Sequence, residues 1–263
     1  MAEVVLDRPE AMNALSTTMG KRLARVCDEL GRETGVRAVV LSGAGEKAFC
    51  VGADLKERRS FSDADLMRQR TVFRAAFGGV LNLPQPTIAA VHGFALGGGC
   101  EFALSCDLIV AGEAAVFGLP ETSVGLVPGG GGTQLALRRL GPARAADLIF
   151  TARRVDVDEA ERLGLIDRRA PGGDGARTEA LALAESIAAN SPTGVRAAKR
   201  AMRQGSGTSL SAGLDIEDAA WRATAFSADR REGIAAFNEK RPPQWPIESG
   251  GGPRPGPEAK ERP

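Results

Sequence analysis

The chain has 263 residues, of which 43% are hydrophobic and 25% charged, and its 34 Lys and Arg nearly balance 33 Asp and Glu. This composition predicts a globular protein with a sizeable core and gives no global reason to expect nucleic acid or an anionic membrane surface as a partner. The sequence has one histidine, His92, and no tyrosine, which excludes a multi-histidine zinc site and any mechanism with a tyrosine acid.

In chain order, strand-like apolar runs alternate with helical patterns up to about residue 170. The pattern predicts helices over 17–31, 63–81 and through 101–105, and strands over 4–6, 38–41, 87–91, 108–111 and 115–117. Repeated strand and helix units of this kind predict an α/β fold with several strands buried on both faces. From about Thr178 to Phe237 the pattern predicts helices only.

These patterns divide the chain into three regions. We predict a core over residues 1–190, a helical region over 191–247 that begins near Pro192, and a disordered tail over 248–263, which is rich in Gly, Pro and charge. The helical region carries large apolar side chains that one chain is unlikely to cover, namely Trp221, Phe226, Ile234 and Phe237. We therefore expect this region to mediate oligomerisation.

The cysteines and the first residues indicate the compartment. The four cysteines, Cys27, Cys50, Cys100 and Cys106, show no C-x-x-C spacing and do not suggest a disulfide framework in a chain of this length. The segment MAEVVLDRPEAMNAL lacks the apolar stretch of a secretory signal, and no apolar run is long enough to span a membrane. We expect a cytoplasmic protein.

Three glycine-containing segments are the first candidates for chemistry: FCVGADLK (49–56), ALGGGCE (95–101) and PGGGGT (128–133). None matches a phosphate loop, a dinucleotide fingerprint or a nucleophile elbow. The middle segment follows an apolar strand and opens a helix, so its N–H groups and the helix dipole suit an oxyanion near Gly98. The turn at Gly52 and Ala53 is a candidate for a second donor. Taken singly, each segment is more often a tight turn.

Two carboxylates lie near these segments. Glu101 falls in the first turn of the glycine-opened helix, where the dipole favours an acid in any case. Glu121 follows Pro120, in a position where an exposed loop glutamate is the usual outcome. Spacing alone does not place the two together.

Five stretches along the chain form a recognisable set: AFCVGADLKE (48–57), PTIAAVHGFALGGGCEFALSCDLIVA (86–111), FGLPETSVGLVPGGGGTQLALRRLG (117–141), EAERLGLID (159–167) and SADRREGIAAFNEKRPP (227–243). Through these stretches the chain resembles the enoyl-CoA hydratase, or crotonase, superfamily. Its motifs are most similar to acyl-CoA hydratases that include methylglutaconyl-CoA hydratase. The resemblance implies a crotonase-type spiral of repeated ββα units followed by an all-helical region.

The resemblance also implies roles for individual residues. The N–H groups of Ala53 and Gly98 would hold the thioester oxygen, and Glu101 and Glu121 would be the catalytic pair. We expect Glu101 to activate water and Glu121 to deliver a proton. Substrate contacts would come from Ala53, Asp54, Leu55, Lys56, Gly98 and Gly129, and more weakly from Phe226 and Lys240 of a neighbouring subunit.

The implied activity is syn addition of water to a trans-2-enoyl-CoA, as in fatty acid or branched-chain amino acid degradation. No metal or separate cofactor is expected, because coenzyme A is part of the substrate, and a homotrimer or a dimer of trimers is expected. Methylglutaconyl-CoA hydration, with Arg68, Arg70 or Arg74 meeting a second carboxylate, and enoyl-CoA isomerisation remain alternatives within the family.

RNA binding is the non-enzymatic alternative, because one relative is described as an RNA binder through a basic segment after GADLKER. Acids interrupt that stretch here and it contains no Tyr or Trp for base stacking. Nucleic acid is therefore not expected as a partner.

Overall fold

A computed structural model describes residues 1–172 and 175–246 of the chain. Its strands are β1 (Ala2–Leu6), β2 (Val39–Gly43), β3 (Ala48–Cys50), β4 (Thr87–Val91), β5 (Phe94–Leu96), β6 (Leu108–Gly112), β7 (Val116–Gly118), β8 (Arg154–Asp156) and β9 (Arg168–Ala170). Its helices are α1 (Thr17–Arg32), α2 (Leu55–Arg58), α3 (Asp63–Leu81), α4 (Gly98–Ser105), α5 (Gly132–Leu140), α6 (Pro142–Thr151), α7 (Val157–Leu163), α8 (Gly175–Ala188), α9 (Pro192–Gly205), α10 (Leu210–Ala225) and α11 (Ala228–Asn238).

The strands form two sheets. The first is fully parallel with the order β1-β2-β4-β6-β9, and the second has the order β3-β5-β7-β8, in which only the β7–β8 pair is antiparallel. Buried Val, Ile, Leu and Ala fill β2, β4 and β6, as expected for strands covered on both faces. The predicted α/β class is confirmed.

A ββα unit repeats along the chain. In β2-β3-α3, β4-β5-α4 and β6-β7-α5 the first strand joins the five-stranded sheet and the second joins the four-stranded sheet. This arrangement confirms the spiral of ββα units that the resemblance implies. Four strands lie outside the set predicted from the sequence: β3, β5, β8 and β9. Each has three residues, too few to show an alternating pattern.

Local sequence fixes the start of the long helix α3. The Ser62 hydroxyl accepts a hydrogen bond from the Asp65 N–H, and the Asp65 carboxylate accepts one from the Ser62 N–H. This reciprocal capping box satisfies two donors that a helix start would otherwise leave unpaired. One face of α3 is buried through Phe73, Ala76, Phe77 and Val80. The bounds of α3 are those predicted from the sequence.

The C-terminal region is helical, as predicted, and differs from the core in its packing. Helix α8 packs on β2, β4, β6 and β9, whereas α9, α10 and α11 pack chiefly on one another. The chain passes from one group to the other at residues 189–191, near the boundary that we predict at residue 190. The predicted disordered tail, 248–263, lies outside the described residues.

Asp107 joins this helical group to the core. Its carboxylate accepts hydrogen bonds from the Thr87 N–H at 2.8 Å and from the Arg203 guanidinium at 2.7 Å, and it forms an ion pair with Lys199 at 2.7 Å. Burial raises the pKa of Asp107, but the positive charges of Lys199 and Arg203 outweigh it, so the pKa lies below its usual range. In the described part of the chain, no helix is both long and apolar enough to cross a membrane.

Candidate active site

Three adjacent parallel strands bring the glycine segments together. Residue Cys50 of β3 pairs with Ala95 of β5, and Leu96 of β5 pairs with Gly118 of β7. The turns that follow these strands therefore leave the same edge of the four-stranded sheet, the edge at which parallel α/β sheets commonly bind ligands. The turns carry Ala53, Gly98 and Glu121, so the structure brings three of the predicted site residues to one place.

Two backbone N–H groups, those of Ala53 and Gly98, lie at this edge. Gly97 turns the chain with φ 53° between β5 and α4, and Gly98 is the first residue of α4. A Cβ on Gly52 would lie 3.0 Å from the Gly98 nitrogen, so the backbones of these two turns are in close contact. Among the described residues, neither the Ala53 nor the Gly98 N–H has a hydrogen-bond acceptor. A negatively charged oxygen would satisfy both.

Glu101 lies in the first turn of α4 and is only 3% exposed. Its Oε1 accepts hydrogen bonds from the Gly130 N–H at 2.6 Å and the Gly132 N–H at 2.8 Å. Burial raises the pKa of Glu101, while these N–H groups and the positive charge of Arg70 oppose the rise. The PGGGGT segment thus stabilises the ionised form of a buried carboxyl group.

Glu121 lies in the 3₁₀ helix Pro120–Val124 that follows β7. It is not the exposed loop residue that its sequence position suggests: its Oε2 is buried and accepts no hydrogen bond from the described residues. Burial raises the pKa of Glu121 to about 7, and the negative charge of Glu101 adds to the rise. The two carboxyl groups therefore differ: the pKa of Glu101 is raised by burial but opposed by N–H donors that favour its ionised form, whereas burial and the charge of Glu101 both favour the protonated form of Glu121.

A cavity of about 470 Å³ joins these groups. Its wall contains Ala53, Gly98, Glu101, Glu121, Gly129 and Gly130, and an apolar part formed by Leu66, Met67, Phe73, Val124 and Leu126. A site of this kind can hold an apolar chain, stabilise negative charge on an oxygen and move protons between two carboxyl groups. His92 is not among the wall residues found in the described part of the chain.

Of the four other residues predicted to contact the substrate, two lie in the cavity wall and two do not. Leu55 and Gly129 line the cavity, but Asp54 and Lys56 are absent from its wall as described. The Asp54 carboxylate instead accepts hydrogen bonds from the first N–H groups of α2, those of Lys56 and Glu57, and pairs with Arg8 at 3.0 Å. In this structure Asp54 therefore caps a helix, so its predicted contact with substrate has no support from the cavity.

The two predicted C-terminal contacts lie apart from this wall. Phe226 follows α10 and is 80% exposed, and Lys240 follows α11 with φ 54°. Neither residue is among the described residues that line the cavity in the single chain. Their predicted contact with coenzyme A across a subunit boundary stays a prediction.

Sequence reasoning singled out the PGGGGT segment but missed the roles of Gly130 and Gly132. It also missed Phe77, which lies against Gly98 and Gly130, where a Cβ would come within 3.2 Å and 2.6 Å of the ring. The run of glycines was the available signal for this segment. It does not indicate that the N–H groups of Gly130 and Gly132 donate to Glu101, which lies 29 and 31 residues earlier in the chain.

Comparisons with known proteins give a consistent result. The family model described as enoyl-CoA hydratase/isomerase matches residues 1–248. YngF of Bacillus subtilis is 45% identical over 241 residues, which are 92% of each chain. Rat mitochondrial methylglutaconyl-CoA hydratase is 42% identical over 91% of this chain and 77% of its own. The crystal structure of an enoyl-CoA hydratase from Bacillus anthracis aligns with a TM-score of 0.90 at 41% identity, covering 92% of this chain and 94% of that one.

Proposed function

Because the chain belongs to the enoyl-CoA hydratase/isomerase family, we propose that it is a hydro-lyase that adds water to a trans-2-enoyl-CoA to give a 3-hydroxyacyl-CoA. The observation that carries this proposal is a pair of glutamates in one cavity wall, Glu101 and Glu121, beside two N–H groups that have no acceptor among the described residues. The relatives named above as hydratases support the same reaction.

In the proposed reaction the thioester oxygen lies between the N–H groups of Ala53 and Gly98. The Glu101 carboxylate takes a proton from water while the water oxygen bonds to C3. The electron pair of the double bond moves onto the thioester oxygen, and the two fixed donors stabilise this enolate more than the neutral substrate. Glu121 then gives its proton to C2, and proton exchange between the two carboxyl groups restores the starting state.

The different environments of the two glutamates favour hydration over isomerisation. Isomerisation moves one proton along the acyl chain, which a single carboxyl group can do, whereas hydration needs a base for water and an acid for C2. The proposed reaction requires no metal and no cofactor beyond the coenzyme A of the substrate. Its donors are backbone and carboxyl groups, so the single histidine and the missing tyrosines of this sequence do not limit it.

The test is hydration of crotonyl-CoA by the purified protein, followed by the loss of the enoyl thioester absorbance. We expect turnover by the wild-type protein and a decrease in kcat of about 10²–10⁴-fold in Glu121→Gln, because the amide has no proton to deliver. Binding of a saturated acyl-CoA should change little, since the amide keeps the shape of the carboxyl group.

The matched control is Glu46→Gln. Glu46 is exposed and is not among the described residues that line the cavity. This variant should hydrate crotonyl-CoA at the wild-type rate. Turnover by Glu121→Gln close to that of the control would contradict the proposed mechanism, and the absence of any enoyl-CoA hydration by the wild-type protein would contradict the proposed function.

A further inference from the structure

One peptide bond of the PGGGGT segment, between Gly129 and Gly130, contacts a charged side chain on each of its two sides. Its carbonyl oxygen accepts a hydrogen bond from Arg70 Nη1 at 2.5 Å, and its N–H donates to Glu101 Oε1 at 2.6 Å. The described residues contain no cis peptide bond, and in a trans peptide the carbonyl and the N–H point in opposite directions. Arg70 and Glu101 therefore lie on opposite sides of one peptide plane, and each contact fixes the direction of the other.

Arg70 is the hydrogen-bond donor that holds this peptide. Within residues 1–172 and 175–246, the Gly129 carbonyl oxygen accepts a hydrogen bond from Arg70 and from no other group. Gly129 and Gly130 both lack a Cβ, so their own side chains do not restrict rotation of the plane between them. The direction in which the Gly130 N–H points thus depends on a side chain of α3.

The other N–H donor to Glu101 is held by helix backbone. The N–H of Gly132 belongs to the peptide that begins at Gly131. The Gly131 carbonyl oxygen accepts hydrogen bonds from two N–H groups of the first turn of α5, those of Gln134 and Leu135, at 3.0 and 2.8 Å. This second donor is therefore oriented without any side chain, whereas the first donor is not.

The charge of Arg70 acts in the same direction as its hydrogen bond. Burial raises the pKa of Glu101, and the N–H groups of Gly132 and Gly130 and the positive charge of Arg70 oppose this rise. A guanidinium that is hydrogen-bonded to a carbonyl also polarises that amide, which strengthens donation from its N–H. Both effects favour the carboxylate form of Glu101, the form that accepts a proton from water.

The other titratable groups near Glu101 do not replace Arg70. Glu121, in the 3₁₀ helix after β7, is a second carboxyl group, and its negative charge would oppose ionisation of Glu101. Burial raises the pKa of the Cys100 thiol on α4 to about 12, so this thiol is neutral near pH 7. Arg139 on α5 pairs with Asp167. Of these groups, Glu101 gains support for its ionised form from Arg70.

We propose that Arg70 is a positioning residue for the catalytic base, because it holds the Gly129–Gly130 peptide with its N–H directed at the Glu101 carboxylate. This inference rests on the proposed function for the role of Glu101 as the base. Without the guanidinium the peptide could rotate, and the carboxylate would keep one of its two N–H donors. A carboxylate with fewer donors binds a proton more readily, so the loss of Arg70 should raise the pH at which the base titrates.

The first measurement is kcat/KM for crotonyl-CoA from pH 5 to pH 9 in Arg70→Met. We expect the acidic limb of the profile to move up by about 0.5–1 pH unit, since one hydrogen bond to a charged group has about this effect. The decrease near pH 7 assigned to Glu121 should stay in place, and KM should change little. Arg70→Lys keeps a positively charged N–H donor and should recover most of the shift. A higher KM with an unmoved acidic limb would overturn the proposal, because Arg70 would then act on the substrate directly.

The second measurement follows Glu101 without turnover, by infrared difference spectroscopy of its protonated carboxyl band during a pH titration. The band that is missing in Glu101→Gln belongs to Glu101. In Arg70→Met its titration should move up by the same amount as the acidic limb, at low salt and at about 1 M NaCl. Because such salt screens exposed charges beyond about 3 Å, a shift that disappears in salt would mean that Arg70 acts through its charge alone, and would overturn the positioning role. This titration does not depend on crotonyl-CoA hydration, which tests the proposed function separately.

Arg74→Met is the matched control. Arg74 lies one turn after Arg70 on α3, is exposed, and is not among the described residues that line the cavity. Arg68 is less suitable, because it pairs at 2.5 Å with Asp65 of the capping box that starts the same helix. The titration of Glu101 in Arg74→Met should equal that of the wild-type protein. An equal titration of Glu101 in Arg70→Met and the wild-type protein would overturn the proposal.

Discussion

At the scale of single residues, the site depends on two carboxyl groups of the same type in different environments. Glu101 receives hydrogen bonds from two N–H groups, and Glu121 has a buried oxygen without a donor among the described residues. The first arrangement stabilises the carboxylate and the second stabilises the carboxylic acid. Because the charge of each group affects the other, the titration of the two glutamates is coupled, and its apparent pKa values belong to the pair.

This difference predicts the pH dependence of hydration. As the pH rises through about 7, Glu121 loses the proton that it must deliver, so kcat/KM should fall about tenfold per pH unit above that value. As the pH falls, Glu101 becomes protonated and can no longer activate water. Because the pKa of Glu101 is raised, this loss of activity should begin at a higher pH than the titration of an ordinary glutamate. The measurement is kcat/KM for crotonyl-CoA from pH 5 to pH 9.

The residual activity of Glu121→Gln provides the control for this profile, because it should lack the decrease near pH 7. A wild-type rate constant that rises between pH 7 and pH 9 would contradict the assignment of Glu121 as the acid. It would instead indicate that Glu121 acts as the base.

At the scale of elements, the sequence predicts the long units better than the short ones that build the site. Helix α3 and strand β4 have the predicted bounds, because their patterns extend over enough residues to be distinctive. The pairing of β3, β5 and β7 brings Ala53, Gly98 and Glu121 together. These strands have only three residues each, and β3 and β5 were not predicted.

For this reason spacing alone could not place the two glutamates in one site, and only the family resemblance did. The cavity wall shows the same limit. Arg58 and Arg70 belong to different helices, α2 and α3, and the turn between these helices brings both to one cavity wall. No periodic pattern in the sequence records that contact.

The packing of the PGGGGT segment against α3 leads to a second prediction. A Cβ on Gly130 would lie 2.6 Å from the Phe77 ring, so Gly130→Ala should displace the segment and lengthen the hydrogen bond from Gly130 to Glu101. We expect a loss of about 1–3 kcal/mol in the free energy of unfolding, as for other overpacked sites, and a lower kcat. Urea denaturation and crotonyl-CoA hydration measure the two effects.

Two further variants separate this explanation from a general effect of alanine. Gly35→Ala should be close to neutral, because a Cβ there meets nothing within 4 Å. Phe77→Leu combined with Gly130→Ala should recover part of the lost activity, since the smaller side chain leaves room for the new methyl group. A double variant less active than Gly130→Ala would contradict the steric explanation.

The Asp107 contacts predict how strongly the helical region is held to the core. In Asp107→Asn the Lys199 side chain, which is 9% exposed, would lose its charged partner. Removal of one partner from a buried ion pair costs about 3 kcal/mol, so the urea midpoint should fall clearly. Asp218→Asn removes an ion pair with Arg222 whose side chains are 56% and 71% exposed, and that control should cost less than about 0.5 kcal/mol. Similar midpoints for the two variants would contradict this role of Asp107.

At the scale of the whole molecule, the described chain buries a large and a smaller hydrophobic cluster but leaves the C-terminal helices incompletely covered. Helix α10 has no buried residue, and Trp221, Phe226 and Phe237 are 67%, 80% and 83% exposed. Isolated apolar side chains are common on protein surfaces, but several large aromatic residues in one helical group are typical of an interface. The sequence analysis expects these large side chains to be uncovered in one chain, and their exposure agrees with that expectation.

We therefore predict that the protein assembles through α9, α10 and α11 into a trimer or a dimer of trimers. Light scattering after size exclusion at micromolar concentration should give three or six times the chain mass of 27.4 kDa. Phe237→Glu should shift the protein toward the monomer, because each new interface would bury a charge without a partner. Phe150→Glu is the matched control: Phe150 is 78% exposed but lies on α6, outside this group, so this variant should keep the mass of the wild-type assembly. A wild-type monomer at this concentration would contradict the assembly, and with it any contact of Phe226 or Lys240 with a neighbouring subunit's substrate.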